Sequence, residues 1–206
     1  MSTAPAHTTF RQRFIGGKPL LGTFVKTPTS HATEILGQLG FDFVVVDEEH
    51  APFDRVATDQ ALLAARAVNI AGIVRVPEAN PSQILGVLDA GATGVLVPHV
   101  YSAQKAKDLV AACRYRGGRR GFANTTRAGN YGGLGFIEHA QQSDANVTVI
   151  AMIEDIAAID VVAEIVAVDG LDGVFIGRGD LAAAYGGQSM DDPRVRVAAE
   201  KIGAIR

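Results

Sequence analysis

Six short apolar runs recur along the chain, and each is followed by a polar or amphipathic segment. The runs are rich in β-branched residues and cover 20–26, 41–46, 70–76, 94–98, 147–153 and 173–176. Runs of this length and composition are typical of strands that are buried on both faces, as in a parallel sheet. The strand-then-helix order therefore predicts an α/β protein with right-handed crossover connections.

Helix signals fill the intervals between these runs. Asp54 to Val68 has helical periodicity, and Asn80-Pro81 places an N-cap before a proline at the first helical position. Further helices are predicted from Ser30 to Gly40, Ser102 to about Tyr115, Asp155 to Val168 and Pro193 to Ile205. Gly117 to Gly135 has no sustained period and many turn residues, so it is predicted to be a long loop over the site.

Two architectures fit this order, an open doubly wound sheet and a (β/α)8 barrel. None of the runs is followed by the G-x-G-x-x-G dinucleotide fingerprint, which disfavours the first architecture. A barrel typically needs eight units and about 250 residues. The chain has 206 residues, and its sequence contains two units fewer than a barrel.

The composition and net charge limit the types of protein that the chain can be. A hydrophobic fraction of 48% allows a substantial core, and we expect one domain over residues 1–206 with a polar leader at 1–18. A net charge of −3 with interspersed signs argues against a nucleic-acid or acidic-membrane partner. Cys113 stands alone, which excludes an internal disulfide and a cysteine-based zinc cluster. Without an apolar signal-peptide core or a membrane-length apolar run, we expect a cytoplasmic protein.

Two carboxylates follow the fifth and sixth runs. Glu154 comes directly after 147–153, and Asp180 lies four residues beyond 173–176. The carboxyl ends of neighbouring parallel strands meet at one edge of the sheet, where α/β proteins build their sites. Mg²⁺ is typically held by one or two carboxylates, so the pair predicts a divalent-metal site. The alternative is that Glu154 caps the next helix and Asp180 begins a turn.

Polar motifs recur at five successive strand ends. They are Asp47-Glu48-Glu49-His50-Ala51-Pro52, Val74-Arg75-Val76-Pro77, Leu96-Val97-Pro98, Ile153-Glu154 and Phe175-Ile176-Gly177-Arg178-Gly179-Asp180-Leu181. Together they resemble the HpcH/HpaI class II pyruvate aldolases, over roughly Leu20 to Pro193. The resemblance implies a (β/α)8 TIM-type barrel. The last two β/α units of the family have no counterpart after Arg206, so we expect a barrel truncated to about six units.

The resemblance also implies an activity and its residues. The enzyme would be a metal-dependent lyase that reversibly cleaves a 4-hydroxy-2-oxo acid, such as 4-hydroxy-2-oxoheptanedioate, to pyruvate and an aldehyde. Glu154 and Asp180 would ligate Mg²⁺, Mn²⁺ or a similar ion, and His50 would be the general base. Substrate contacts are implied for Arg75, Met152, Gly179 and Asp180. A homo-oligomer is expected, since relatives form hexamers.

The chemistry of the cleavage agrees with these roles. Retro-aldol cleavage leaves an enolate, so positive charge is needed where the oxygen becomes negative, and both a metal and Arg75 supply it. Histidine titrates near neutral pH and suits the removal of the hydroxyl proton by His50. No lysine lies at the ends of the fifth and sixth strands, which argues against a Schiff-base mechanism.

Three further acids have open roles. Asp47 and Glu49 either orient His50 through hydrogen bonds or are exposed. For Arg75, the alternative to a substrate contact is an ion pair with Asp47 or Glu49. Asp89 corresponds to a family aspartate that raises the basicity of the histidine. It falls at the end of a helix, on the side of the barrel opposite the site, so it would pair with the His50 of another subunit or remain a solvated helix-end residue.

Several positions depart from the family pattern. Glu48 stands where glycine is usual, Arg178 where proline is usual, His99 where methionine is more frequent, and Met152 where some relatives have glutamine. Because of these changes, the sequence does not identify the aldehyde part of the substrate. Arg178 would bind a distal carboxylate of the substrate or pair with Glu48.

Two alternative functions stay open. The first is a lyase acting on CoA esters or a citrate-synthase-like enzyme of the same superfamily, favoured by the basic cluster Arg114-Tyr115-Arg116-Gly117-Gly118-Arg119-Arg120. That cluster would contact phosphate or carboxyl groups, or form a solvated loop. The second is an inactive barrel fragment that serves as a structural or interaction module.

Overall fold

A computed structural model of the chain describes residues 5–205 and contains one sheet of six parallel strands. The order of the strands in the sheet follows their order in the chain. The strands are β1 Gly22–Val25, β2 Phe43–Asp47, β3 Ala71–Arg75, β4 Gly94–Val97, β5 Thr148–Ile153 and β6 Gly173–Ile176. The predicted α/β architecture, a barrel-type fold with about six β/α units, is confirmed.

Helices flank this sheet, most of them on its outer face. They are α1 Ala6–Ile15, α2 Ser30–Gln38, α3 Arg55–Ala67, α4 Pro81–Asp89, α5 Ala103–Cys113, α6 Phe136–Asn146, α7 Ile156–Val166, α8 Arg178–Ala184 and α9 Pro193–Gly203. A short 3-10 helix, Arg127–Gly132, lies within the segment predicted to be a long loop. In residues 5–205 we find no helix whose length and apolar character would let it cross a bilayer.

The predicted helix starts agree with side-chain caps. Asp54 accepts a hydrogen bond from the Ala57 amide at 2.8 Å, and Asn80 accepts one from the Ser82 amide at the same distance. Such caps satisfy amide groups that have no partner inside the helix. The N-cap of α2 is Thr29 rather than the predicted Ser30.

The sheet curls so that its two edge strands approach each other. Phe24 of β1 and Phe175 of β6 are in edge-to-face contact, with ring centroids 5.7 Å apart. An apolar cavity of about 150 Å³ lies beside them and is lined by both rings. The interior of the barrel is therefore bounded by aromatic side chains at the gap between β1 and β6.

The core has two layers, one inside the curled sheet and one between the sheet and its helices. The inner layer consists of strand residues and one helix residue, namely Val45, Ala71, Ile73, Leu96, Ile150, Met152 and Phe10. Phe10 belongs to α1 and is fully buried, in contact with the Phe43 ring at 5.4 Å between centroids. The segment predicted to be a polar leader thus contributes a helix that packs on the barrel interior.

Candidate active site

The carboxyl ends of β2, β3 and β5 bring together four of the predicted site residues. Asp47 and Arg75 end β2 and β3 and are paired in the strand register. Glu154 directly follows β5, and His50 lies in the turn after β2. We call this set of residues, together with Asp180 in the first turn of α8, the rim.

Asp47 and Arg75 form a buried ion pair at the centre of the rim. The Arg75 Nε and Nη2 atoms donate to the two Asp47 oxygens at 2.9 and 2.7 Å. Burial alone would raise the pKa of Asp47, yet hydrogen bonds from Arg75 and the His50 amide lower it to about 2. The Lys26 ammonium lies 3.3 Å from the same carboxylate. Arg75 is therefore paired with Asp47, and Asp47 is buried rather than exposed.

The Asp47 carboxylate also shapes the turn that carries His50. Its Oδ1 atom accepts from the backbone amides of Glu49 and His50, at 3.2 and 3.1 Å. The orientation of His50 by Asp47 thus acts through the backbone of the turn. The His50 side chain itself is 54% exposed, and its Nε2 atom lies 3.8 Å from Glu49 Oε2.

Glu49 connects His50 with Arg75. Its Oε2 atom lies 3.2 Å from Arg75 Nη1, which is an ion-pair distance. Within residues 5–205, however, this oxygen accepts no hydrogen bond of acceptable geometry. Burial lowers the pKa of Arg75, but the Asp47 and Glu49 carboxylates outweigh this and raise it, with a further contribution from Glu154. The guanidinium is thus a fixed positive charge between acidic groups, with the Phe24 ring 4.9 Å from its carbon.

Glu154 is a buried carboxylate with acidic neighbours. It is 3% exposed, and its Oε1 atom accepts from the His99 amide at 2.8 Å. Burial raises the pKa of Glu154, the His99 contacts lower it in part, and the negative charges of Asp180 and Glu49 raise it further. A cation near this carboxylate would therefore relieve an unfavourable concentration of negative charge.

Gly177 makes room for the Glu154 side chain. A Cβ atom at Gly177 would lie 2.5 Å from Glu154 Cβ and 2.6 Å from Glu154 Oε2. Any other residue at this position would thus collide with the carboxylate. The Gly177 amide also donates to the Ile153 carbonyl, which extends the pairing of β5 with β6 to the rim.

The donor set of the rim fits a hard divalent cation. Among residues 5–205, no group of three or more His, Cys, Asp or Glu side chains is arranged to hold a metal ion. Glu154 and Asp180 provide two anionic oxygen donors, and Mg²⁺ commonly uses one or two carboxylates while water and substrate complete its coordination. Asp180 is exposed in the first turn of α8, and Gly179 beside it is exposed with open space around its Cα.

Two predicted site residues lie away from the rim. Met152 is 1% exposed within the inner apolar layer, so its position gives no support to a substrate contact. Asp89 ends α4 and accepts a hydrogen bond from Arg120 Nη2 at 3.0 Å. Pairing of Asp89 with the His50 of another subunit stays a prediction.

The residues that depart from the family pattern have local partners. Glu48 accepts from the Thr58 hydroxyl at 2.6 Å, and burial raises its pKa. Arg178 donates to the Met190 carbonyl at 2.7 Å and to Asp191 at 3.2 Å. The suggested pair of Arg178 with Glu48 is therefore not formed. His99 has a positive φ of 54°, and this unusual conformation accompanies the contact of its amide with Glu154.

The basic cluster at 114–120 belongs to the scaffold. Arg114 is buried and donates to the Val147 carbonyl at 3.0 Å, at the amino end of β5. Arg119 pairs with Asp108 at 2.6 Å on the surface, and Arg120 pairs with Asp89. The cluster thus lies at the end of the sheet opposite the rim, which removes the observation that favoured a CoA-ester substrate.

Sequence reasoning missed two groups that position the rim. The His99 amide and the space at Gly177 both depend on backbone geometry, which no residue pattern displays. The glycine in the motif around Asp180 was the available signal, because a glycine at a strand end often marks a close approach of another group.

Comparisons with known proteins show which family the chain is similar to. The family model described as HpcH/HpaI aldolase/citrate lyase matches residues 20–205. A hydroxypyruvate/pyruvate aldolase from Roseovarius nubinhibens is 40% identical over 185 residues, which cover 88% of this chain and 71% of the relative. A family protein from Burkholderia cenocepacia superimposes with a TM-score of 0.89 at 31% identity, over 95% of this chain and 79% of that one.

A more distant structure shares the fold. It is the citrate lyase beta subunit of M. tuberculosis complexed with oxaloacetate and magnesium, with a TM-score of 0.57 at 19% identity, over 91% of this chain and 74% of that one.

Proposed function

The chain belongs to the HpcH/HpaI aldolase/citrate lyase family, and we propose that it is a divalent-metal-dependent pyruvate aldolase. The relatives named as pyruvate aldolases support an aldolase of this superfamily. The observation that carries the proposal further is the rim itself, where Glu154 is buried beside the negative charge of Asp180 and within reach of the positive charge of Arg75. We take the substrate to be a 4-hydroxy-2-oxo acid, cleaved to pyruvate and an aldehyde.

Glu154 and Asp180 would hold the cation, either Mg²⁺ or Mn²⁺. When bound, this ion supplies Lewis-acid stabilisation of the negative charge that develops on the 2-oxo oxygen. Arg75 contributes a second positive charge, which its two hydrogen bonds to Asp47 hold in place. A fixed cation needs no reorganisation when charge develops on the substrate, which is why such groups lower the barrier.

We assign the exchange of the proton to His50. It is exposed at the mouth of the rim, where it can meet the C4 hydroxyl of a substrate whose 2-oxo end lies toward Glu154. His50 accepts the hydroxyl proton, the C3–C4 bond breaks, and the electron pair passes into the enolate of pyruvate. Return of this proton from His50 to the enolate carbon C3 completes pyruvate and regenerates the neutral histidine, and the other product is the aldehyde.

A pyruvate-release screen tests this proposal. The purified chain is incubated with a series of 4-hydroxy-2-oxo acids, with and without EDTA, and pyruvate is measured by reduction with lactate dehydrogenase. We expect release that EDTA abolishes and added Mn²⁺ or Mg²⁺ restores. Release that persists unchanged in EDTA would refute the metal dependence, and the absence of release with any substrate would favour an inactive barrel fragment.

A further inference from the structure

Lys26 is a cation beside the rim to which the proposed reaction gives no role. It directly follows β1, at the same edge of the sheet as Asp47 and Arg75. Val25 pairs with Val46 in the strand register, so Lys26 stands opposite Asp47. Its ammonium lies 3.3 Å from Asp47 Oδ2, and its side chain is 55% exposed. Lys26 is thus in contact with a buried carboxylate of the rim and is also open to solvent.

The side chain of Lys26 extends on the inner side of the curled sheet. Side chains two residues apart in a strand point to the same face. Phe24, two residues before Lys26, is packed against the Arg75 guanidinium and the Phe175 ring. Asp47, which the ammonium contacts, is buried beside the same guanidinium. The ammonium therefore lies at the mouth of the barrel rather than among the helices outside it.

The ammonium of Lys26 has hydrogen-bonding capacity for a further partner. It carries three N–H donors, and its contact with Asp47 uses one of them. The Asp47 carboxylate already accepts two hydrogen bonds from Arg75 and two from backbone amides. The Arg75 side chain is 8% exposed, whereas that of Lys26 is accessible. An anion that enters the mouth therefore meets Lys26 before it meets Arg75.

We propose that Lys26 binds a carboxylate on the half of the substrate that becomes the aldehyde. This inference rests on the proposed aldolase function, in which the 2-oxo end lies toward Glu154 and Asp180 and the C4 hydroxyl meets His50. The strand β1 adjoins β2, which carries the turn with His50. The carbon atoms beyond C4 accordingly extend past His50 toward the carboxyl end of β1, where Lys26 lies.

The charge of Lys26 selects among aldehydes. A hydrogen bond between an ammonium and a carboxylate is stronger than one between neutral groups, and one accessible ammonium matches the single charge of a carboxylate. Arg178, the other candidate for a distal carboxylate, already donates to the Met190 carbonyl and to Asp191. The preferred substrate is therefore a 4-hydroxy-2-oxo acid with a second carboxylate, such as 4-hydroxy-2-oxoheptanedioate, whose cleavage gives pyruvate and 4-oxobutanoate.

The selectivity between two four-carbon aldehydes tests this role. The full chain is assayed with Mn²⁺ for the addition of pyruvate to 4-oxobutanoate, which is acidic, and to butanal, which is neutral. The wild type should have the higher kcat/KM with 4-oxobutanoate, and Lys26→Met should lower the ratio of the two kcat/KM values by about tenfold, mainly through KM. A tenfold change corresponds to about 1.4 kcal/mol. A purely structural role of Lys26 through Asp47 would lower both values alike and leave their ratio unchanged.

Two further variants serve as controls. Lys26→Arg keeps the positive charge and should retain most of the preference for 4-oxobutanoate. Lys201→Met removes a lysine of α9 that is 49% exposed and pairs with Asp160 at 3.0 Å, so it should keep the wild-type ratio. A wild type without a preference, a ratio unchanged in Lys26→Met, or an equal fall in Lys201→Met would overturn the proposal.

A binding measurement separates this proposal from the proposed function. If neither aldehyde reacts with the wild type, the aldolase function fails, and calorimetric titration with succinate in EDTA then decides the role of Lys26. Succinate should bind about tenfold more weakly to Lys26→Met than to the wild type and to Lys201→Met. Succinate binding that is absent from the wild type, or equal in the wild type and Lys26→Met, would overturn the assignment of Lys26 as a carboxylate-binding residue.

Discussion

Asp47 and Arg75 end neighbouring strands and share two hydrogen bonds, so both oxygens of the Asp47 carboxylate hold the guanidinium of Arg75. The remaining Nη1 atom lies 3.2 Å from Glu49 Oε2, an ion-pair distance. Because the same carboxylate binds the backbone of the His50 turn, one buried acid positions both the arginine and the histidine of the rim.

Asp47→Asn should impair both stability and activity. The variant removes one partner of a buried ion pair and leaves Glu49 as the remaining carboxylate in contact with Arg75, and the loss of such a partner typically costs about 3–5 kcal/mol. We expect pyruvate release to fall by about 10- to 100-fold, as when groups that orient catalytic residues are lost. Urea unfolding and the release assay measure the two effects.

The matched control for this variant is Asp191→Asn. Asp191 also pairs with an arginine, Arg178, but its side chain is 81% exposed. Exposed pairs contribute about 1 kcal/mol or less, so the control should unfold almost as the wild type does. Equal losses in the two variants would contradict the role given to burial.

The free energy of unfolding should depend on pH through the titration of Asp47. The folded pKa of Asp47 is about 2, below its ordinary value of 3.8, so its contribution is complete well above pH 3.8 and is lost as the pH falls through about 2. Each pKa unit corresponds to about 1.4 kcal/mol. The stability difference between the wild type and Asp47→Asn should therefore shrink by about 1 kcal/mol from pH 6 to pH 3, and a constant difference would disagree with this pKa.

Glu154→Gln should stabilise the protein in EDTA. Glutamine keeps an acceptor for the His99 amide and removes a buried charge that lies near Asp180 and Glu49. We expect the free energy of unfolding at pH 8 to rise by about 1 kcal/mol. Glu164→Gln, on the exposed face of α7, should change it by less than about 0.5 kcal/mol. A clear loss of stability in Glu154→Gln would mean that the charge of Glu154 is compensated within the chain.

Gly177→Ala should displace the Glu154 carboxylate. The added methyl group would lie 2.5 Å from Glu154 Cβ, which forces a shift at the rim and costs about 1–3 kcal/mol. We expect weaker stimulation of pyruvate release by Mn²⁺. Gly135→Ala is the control, since a Cβ at Gly135 meets nothing within 4 Å. Metal stimulation equal in the two variants would show that Gly177 does not position Glu154.

The fold could be predicted from the sequence largely because buried parallel strands have a clear sequence signal, namely short apolar runs rich in β-branched residues. The run 173–176 coincides with β6, Asn80 is the N-cap that the sequence predicted, and Asp54 and Ser102, the predicted first residues of two helices, are the N-caps of α3 and α5. The helices α1, α6 and α8 were not predicted. In α6 only His139 and Ala140 are buried, while the large apolar residues Phe136 and Ile137 are exposed, and α8 has only seven residues.

The site could be predicted less completely. Motifs at strand ends placed Asp47, Arg75 and Glu154 on one edge of the sheet, because parallel strands share their direction. The motifs could not show that Met152 points into the inner apolar layer, since the side on which a strand residue lies depends on register and sheet curvature. The metal, the catalytic roles, the oligomer and the single domain remain predictions.

Calorimetric titration of Mn²⁺ in the presence of pyruvate is the most direct test of the account. The wild type should bind Mn²⁺ with pyruvate more tightly than without it, since a 2-oxo acid supplies oxygen ligands that two carboxylates leave open. Glu154→Gln and Asp180→Asn should each abolish this binding, while Asp191→Asn should leave it intact. Mn²⁺ binding that is absent from the wild type, or unchanged in Glu154→Gln and Asp180→Asn, would contradict the assignment of these carboxylates as the metal site.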